Sequence, residues 1–107
     1  MAVLQPTGLN SAVVIATTAN AGTIGTGGIF VLHLVTPATL VANTTYYLAV
    51  YNQVNGSELG AVSAGLGTTQ DAPPINFRAQ NLAGFAVGQI IDTSDVSLRI
   101  TPWLAAF

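Results

Sequence analysis

Side chains that could do chemistry are scarce in this chain of 107 residues. It contains a single histidine, His33, four acidic residues, two arginines, no cysteine and no lysine. A Ser-His-Asp triad would have to use His33, whose apolar neighbours Phe30, Leu32 and Leu34 are typical of a packed or interface histidine. Without cysteine there is no thiol nucleophile, no disulfide framework and no thiolate metal site. The sequence therefore predicts a protein that is not an enzyme and that has no cofactor.

The acidic residues form one local pair, Asp92 and Asp95, with Thr93 and Ser94 between them. Their carboxylates could contribute to a calcium site, although Ca²⁺ takes about six to eight oxygen ligands and no EF-hand pattern accompanies them. Aspartates at this spacing in a turn more often accept hydrogen bonds from their own backbone. We expect a turn here and no metal site. Glu58 and Asp71 have no acidic neighbour in the sequence, so spacing predicts no glycosidase pair.

A glycine-rich stretch, GTIGTGG at residues 22–28, superficially resembles a phosphate-binding loop. It lacks the lysine of a P-loop, and the G-x-G-x-x-G spacing with a following helix is missing too. We interpret it as a long flexible loop.

Charge is the most unusual feature of the composition. Only 6% of residues are charged and the formal net charge is -2, whereas about 25% is typical of soluble domains. This balance excludes binding to a nucleic-acid backbone. Residues 1–57 carry no charged side chain, although a monomer in water normally spreads charge over its surface. Either a Thr/Asn/Ser surface keeps this half soluble, or the half contacts copies of the chain or another shell.

The first residues, MAVLQPTGLN, lack the basic region of a signal peptide and are interrupted by Pro6 and Gly8. The longest apolar run, Gly28 to Val35, is far shorter than the about 20 residues that a membrane-spanning helix needs. The sequence thus predicts a protein made in the cytoplasm, with no membrane segment.

Short apolar runs separated by Gly, Pro, Asn and Thr predict several strands and no long helices. Ile29 to Val35 is apolar on both faces and predicts a strand covered on both sides. Asn55-Gly56 favours a tight turn between two paired strands. We call the strand before it, Thr44 to Val54, the tyrosine strand, and the strand after it, Ser57 to Ala64, its return strand. The expected strands are Ser11 to Thr17, Ile29 to Val35, Thr44 to Val54, Ser57 to Ala64, Ile75 to Arg78, Phe85 to Ile91 and Val96 to Thr101.

These strands predict a single all-β domain over residues 1–107, a β-sandwich or jelly roll, with a small β-barrel as second choice. A short N-terminal lead, 1–10, and an apolar tail, 103–107, would flank it. Aromatic and apolar side chains that suit a core or a partner are the interface candidates. They are Tyr47, Tyr51, Trp103, Leu104 and Phe107.

The stretch PATLVANTTYYLAV, from Pro37 to Val50, resembles a segment found in β-sandwich modules of phage and adhesive surface proteins, where a turn leads into a strand with tyrosines. The whole chain, rich in Ala, Thr, Gly and Asn and poor in charge, resembles small virion proteins of tailed phages, most of all capsid decoration (cement) proteins. Such proteins are commonly oligomeric β-modules that bind and reinforce the capsid lattice. The short lead before Ser11 departs from the extended polar arms frequent among them.

The resemblance implies a structural subunit of a virus particle, located in the virion. Its expected partners are its own copies, as a homo-oligomer such as a trimer, and a capsid or other virion protein. The alternative is a carbohydrate- or receptor-binding β-sandwich module of a phage tail or adhesin, which would bind a glycan through aromatic side chains beside Asn, Gln or Asp.

Overall fold

The computed structural model describes residues 1–21, 28–53, 61–63, 76–96 and 100–102. Within these ranges the regular secondary structure is entirely strand, and all strand pairs are antiparallel, so the predicted all-β class is confirmed. The same ranges include no helix with the length and apolar character needed to cross a membrane. The strands are β1 (Ala2–Gly8), β2 (Ser11–Thr17), β3 (Tyr47–Ala49), β4 (Ala61–Ser63), β5 (Phe77–Arg78), β6 (Ile90–Asp92), β7 (Asp95–Val96) and β8 (Ile100–Pro102).

The largest sheet, which we call the main sheet, has four strands in the order β3-β1-β2-β6. Its centre is the hairpin of β1 and β2, in which Gly8 pairs with Ser11 and Ala2 pairs with Thr17. Strand β3 pairs with the first residues of β1, and β6 pairs with the first residues of β2. Strands β4 and β8 form a separate pair, and so do β5 and β7.

The strand β1 occupies residues that the sequence assigns to an N-terminal lead, so that assignment is wrong. Pro6 and Gly8 argue against a strand because proline cannot donate to a ladder and glycine packs no side chain. The β1–β2 ladder accommodates both with a register shift between Pro6 and Gly8. On the other side of β1, β3 pairs only with residues 2–4. In the described sheet, β3 therefore needs no N–H donor from Pro6.

The core lies on one face of this sheet. Strand β2 alternates strictly, with Ala12, Val14 and Ala16 buried and the residues between them half-buried, as a strand with one covered face should. Leu4 and Ile91, from neighbouring strands, are also fully buried. Side chains from residues 77–85 cover this face: Phe77, Ala79, Leu82 and Phe85 pack against the buried cluster.

The apolar run Ile29 to Val35 does not form the predicted strand. Its only ladder contact in the described residues is an isolated bridge between Thr18 and Leu34, and the side chain of Ile29 is 78% exposed. An unbroken apolar run has the same sequence pattern whether another layer of the same chain covers it or not. The prediction of a doubly covered strand is therefore wrong.

The tyrosine strand exists but is shorter than the predicted Thr44 to Val54, and its partner differs. Strand β3 pairs with β1, and β4, within the predicted return strand, pairs with β8. The expected pairing of the tyrosine strand with its return strand is therefore wrong for the described residues. The Asn55-Gly56 turn lies outside them.

In the second half, the predicted strand Ile75 to Arg78 is confirmed only as the two residues of β5, since Asn76 is not part of the strand and Ile75 lies outside the described residues. The predicted strand Phe85 to Ile91 is reduced to β6, because residues 86–89 form a turn in which the Gln89 N–H donates to the Ala86 carbonyl over 3.0 Å. Its third residue, Gly88, has a φ of 87°, as a type II turn requires at that position. The alternating segment from Val96 contributes to two strands, β7 and β8, in different sheets.

Candidate functional site

The first candidate site is residues 29–41, which we call the apolar segment. Exposed large apolar side chains concentrate here although the segment lies outside the strands. Those with the largest exposed fractions are Ile29 at 78%, Val35 at 67%, Val41 at 64% and Val31 at 58%, followed by Leu40, Phe30 and Leu34. Large apolar side chains scattered singly are normal on a surface, whereas seven within thirteen residues are not.

Two backbone N–H groups of the apolar segment donate hydrogen bonds to residues outside it, one to a carbonyl and one to a side-chain hydroxyl. The Val35 N–H donates to the Thr17 carbonyl over 2.8 Å at the end of β2. The Val41 N–H donates to the Tyr46 hydroxyl over 3.0 Å, just before β3. Between Val41 and Tyr46, Asn43 turns the chain with a φ of 56°, a conformation that asparagine tolerates better than most residues. The segment is therefore attached at two points to the elements that lead into the main sheet.

The apolar segment carries no charged residue, and its histidine is on the surface. His33 is exposed, and of its two neighbours Leu34 is exposed and Leu32 is half-buried. The structure places no acidic side chain in hydrogen-bond contact with it among the described residues. The expected packed environment of His33 is thus absent in the single chain, and the interface alternative stays a prediction.

The second candidate site is a cleft of about 320 Å³, which we call the charged cleft. Its lining residues are Arg78, Ala79, Gln80, Leu82, Asp92 and Asp95. Every charged side chain within the described ranges is among them. Strands β5, β6 and β7 bring them together, since Arg78 is in β5, Asp92 ends β6 and Asp95 begins β7.

An ion pair crosses the β5–β7 ladder in this cleft. Arg78 and Asp95 are direct partners in the register, and the Arg78 Nη2 donates to Asp95 Oδ1 over 3.1 Å. Their side chains remain 66% and 42% exposed. The pair is therefore solvated, and both groups keep hydrogen-bonding capacity for a ligand because a guanidinium has five N–H donors and a carboxylate two oxygens.

Asp92 behaves as the sequence predicts, as a turn residue. Its Oδ1 accepts the Ser94 N–H over 2.8 Å. Hydrogen bonds from the Ser94 side chain and from the Ser94 backbone hold the pKa of the Asp92 carboxyl below its usual value, because they stabilise the charged form. Together with the Arg78 contact of Asp95, this commits one oxygen of each carboxylate. The described residues contain no group of three or more His, Cys, Asp or Glu that could hold a metal ion.

The two tyrosine candidates are used within the chain. Tyr47 is only 8% exposed and belongs to the buried cluster, where its ring meets Phe77 edge-on with 5.0 Å between centroids. Burial raises the pKa of its hydroxyl. Tyr51 is half-buried and meets Phe85 edge-on at 6.3 Å. Tyr47 is thus a core residue and does not offer a free surface to a partner. The other candidates, Trp103, Leu104 and Phe107, lie outside the described residues.

Sequence reasoning missed the charged cleft because its members come from separate parts of the chain. Arg78 and Asp95 are 17 positions apart, and only the pairing of β5 with β7 places them opposite each other. Gln80 and Leu82 have no distinguishing pattern in the sequence. The one available signal was that charge occurs only after residue 57.

Comparison with known proteins adds no relative to this picture. No family model, no curated protein and no solved structure matches the chain.

Proposed function

We propose that the protein is a non-enzymatic structural subunit of a virus particle, a decoration or cement protein of a phage capsid that self-associates and reinforces the shell. The exposed, uncharged apolar segment is the observation that carries this proposal. The virion context comes from the resemblance of the composition to small virion proteins of tailed phages, and of residues 37–50 to β-sandwich modules of phage and adhesive surface proteins.

The size of the apolar surface supports self-association. If each of its seven large side chains exposes on the order of 100 Å², they present on the order of 700 Å² together. The largest apolar patch of a typical monomer is about 300–600 Å², and each partner in a standard complex buries about 800 Å². The summed exposed area of the segment is thus comparable to one side of a standard interface between copies.

The absence of charge favours a second copy as the occupant. Identical surfaces meet in a symmetric oligomer, so a charged patch would face its own sign across the interface. Residues 1–57 contain no charged side chain, and two copies of the apolar segment meet without this repulsion. Hydroxyls and amides around the segment cost far less to bury than charges when they find partners.

Repeated binding positions on the capsid would strengthen the attachment of such an oligomer. A capsid presents many equivalent positions, and an oligomer that engages several of them at once binds more tightly than any single contact allows. The mechanism is adhesion and needs no catalytic group. A composition with one histidine and neither cysteine nor lysine is consistent with such a role.

Size-exclusion chromatography with light scattering tests the self-association. We expect an oligomer for the full chain and a smaller species for the double variant Ile29→Asn/Val35→Asn, which changes two of the most exposed side chains of the segment. Leu9→Asn is the matched control, because Leu9 is 70% exposed but lies in the β1–β2 turn. Thermal unfolding of each variant verifies that the fold persists. A strict monomer at every concentration would refute self-association.

Co-sedimentation with phage heads tests the virion role. The full chain is mixed with assembled phage heads that lack a decoration protein, and the pellet is assayed for stoichiometric protein. We expect saturable binding by the chain and by the Leu9→Asn control, and weaker binding by the double variant. An oligomer that binds no head would argue against the decoration role while leaving self-association standing.

A further inference from the structure

The charged cleft has the features of a binding site that the proposed role does not use. Its volume of about 320 Å³ is at the small end of the about 300–1,000 Å³ of ligand pockets. It combines a few convergent polar groups with an apolar wall, as such pockets do. The three charged side chains of the described ranges, Arg78, Asp92 and Asp95, all line this cleft.

The floor of the cleft is fixed by the core. Leu82 and Ala79 line the cleft and also pack against the buried cluster beneath the main sheet. On the rim, the ladder register places Arg78 opposite Asp95, and the Ser94 N–H orients Asp92. The backbone positions of these lining residues are therefore set before a ligand binds, which lowers the entropy cost of association.

The charges of the lining decide the ligand class. Among the described residues, the lining carries two carboxylates and one guanidinium, a formal charge of -1 that disfavours phosphates and other anions. A hard cation such as Ca²⁺ needs about six to eight oxygens, whereas one carboxylate is bonded to Arg78 and the other to the Ser94 N–H. In the cleft, the carboxylates of Asp92 and Asp95 are acceptors and the guanidinium of Arg78 is a donor. The side-chain amide of Gln80 supplies one acceptor oxygen and a donor NH₂ group.

Vicinal hydroxyls match this arrangement because each hydroxyl can donate to a carboxylate and accept from a guanidinium or amide. The carbon-bound hydrogens of a sugar ring form an apolar face that can lie on Leu82 and Ala79. We propose that the charged cleft is a binding site for a neutral carbohydrate, contacted by Arg78, Gln80, Asp92 and Asp95.

The inference is independent of the virion role, because the lining of the cleft contains no residue of the apolar segment. A variant of the cleft should leave the oligomeric mass unchanged, and a variant of the apolar segment should leave carbohydrate binding unchanged. Failure of one proposal is therefore distinguishable from failure of the other.

The test has a screen and a mapping step on the full chain. A glycan array identifies candidate neutral sugars, and the best of them is titrated as free oligosaccharide while backbone amide shifts are followed by NMR. Neutral methyl glycosides of the common hexoses and N-acetylhexosamines are titrated in parallel. We expect saturable shifts centred on residues 78–82 and 92–95. A blank array together with flat titrations would overturn the proposal, and so would saturable shifts that map elsewhere.

Variants then assign the contacts. Gln80→Ala removes one donor and acceptor from the cleft, and should weaken binding about fivefold, the usual effect of losing one hydrogen bond. Gln53→Ala is the matched control, since Gln53 is exposed but does not line the cleft. Equal affinities of the two variants would overturn the assignment. A titration with CaCl₂ alone should leave the amide chemical shifts of residues 92–95 unchanged. Saturable shifts there would show that the cleft binds a cation, and would overturn the carbohydrate proposal.

Discussion

Arg78 and Asp95 face each other as direct partners in the β5–β7 ladder, with 3.1 Å between Nη2 and Oδ1. Both side chains are substantially solvated, so we expect the pair to contribute little to stability, about 0.2–1 kcal/mol. A double-mutant cycle with Arg78→Ala and Asp95→Ala, followed by urea unfolding, measures this coupling. It should shrink further in 1 M salt, where charges are screened over about 3 Å. A coupling well above 1 kcal/mol that persists in salt would contradict the solvated geometry.

The Asp92 carboxyl should titrate at a lower pKa than an ordinary aspartate. The Ser94 side chain and the Ser94 N–H both stabilise its charged form, so the Ser94→Ala variant should raise the pKa towards the usual value of 3.8. Carboxyl ¹³C chemical shifts measured against pH report it directly. An unchanged Asp92 pKa in Ser94→Ala would show that the backbone N–H alone accounts for the shift.

The same hydrogen bonds make stability depend on pH. Because the pKa of Asp92 is lower in the folded than in the unfolded chain, its stabilising contribution is present above the unfolded value and is lost as the pH falls through the folded value. We expect the urea midpoint of the protein to exceed that of Asp92→Asn at pH 7, and the two midpoints to converge below the folded pKa. A difference that stays constant down to that pH would assign the effect to something other than ionisation.

Leu4 should be among the most costly residues to truncate. It is fully buried in β1, between the neighbouring strands and the side chains that cover the sheet, and Leu→Ala at such a site costs about 2–5 kcal/mol. The matched control is Leu48→Ala, since Leu48 pairs across from Val3 in β3 but is 39% exposed. Chemical denaturation of the two variants should show a clearly larger loss for Leu4→Ala.

Local signals predicted the elements whose structure is decided locally. The alternation of Ser11 to Thr17 predicted β2, because one face of that strand packs on the core and the other does not. Asp92 to Asp95 was predicted as a turn because aspartate next to small polar residues bonds its own backbone. The 2.8 Å contact to Ser94 confirms this bond for Asp92, whereas Asp95 begins β7 and bonds Arg78.

What the sequence could not supply was the choice of partners. Strand β3 pairs with β1 although a tight turn signal follows it, and no local pattern predicts that preference. The apolar run at Ile29 to Val35 could not be assigned to a surface, because hydrophobicity alone does not say which molecule covers it. The charged cleft depends on the pairing of β5 with β7, and was invisible for the same reason.

The turn at residues 86–89 should not tolerate a side chain at Gly88. The φ of Gly88 is 87°, and no atom lies within 4 Å of the position that its Cβ would occupy, so the penalty of Gly88→Ala comes from the backbone and not from a clash. For an L-residue in the left-handed region we expect a loss of about 1–2 kcal/mol.

This turn also supports the main sheet. The Gly88 N–H donates to the Val14 carbonyl over 2.8 Å, and the Val14 N–H donates to the Gln89 carbonyl over 2.9 Å. Gly88→Ala should therefore increase hydrogen exchange at the amides of Val14 and of residue 88. The control is the neighbouring variant Val87→Ala, at a 63% exposed position, which should change the free energy of unfolding by less than about 0.5 kcal/mol. Similar unfolding free energies for the two variants would mean that the turn can relax to a conformation with negative φ without disturbing β2.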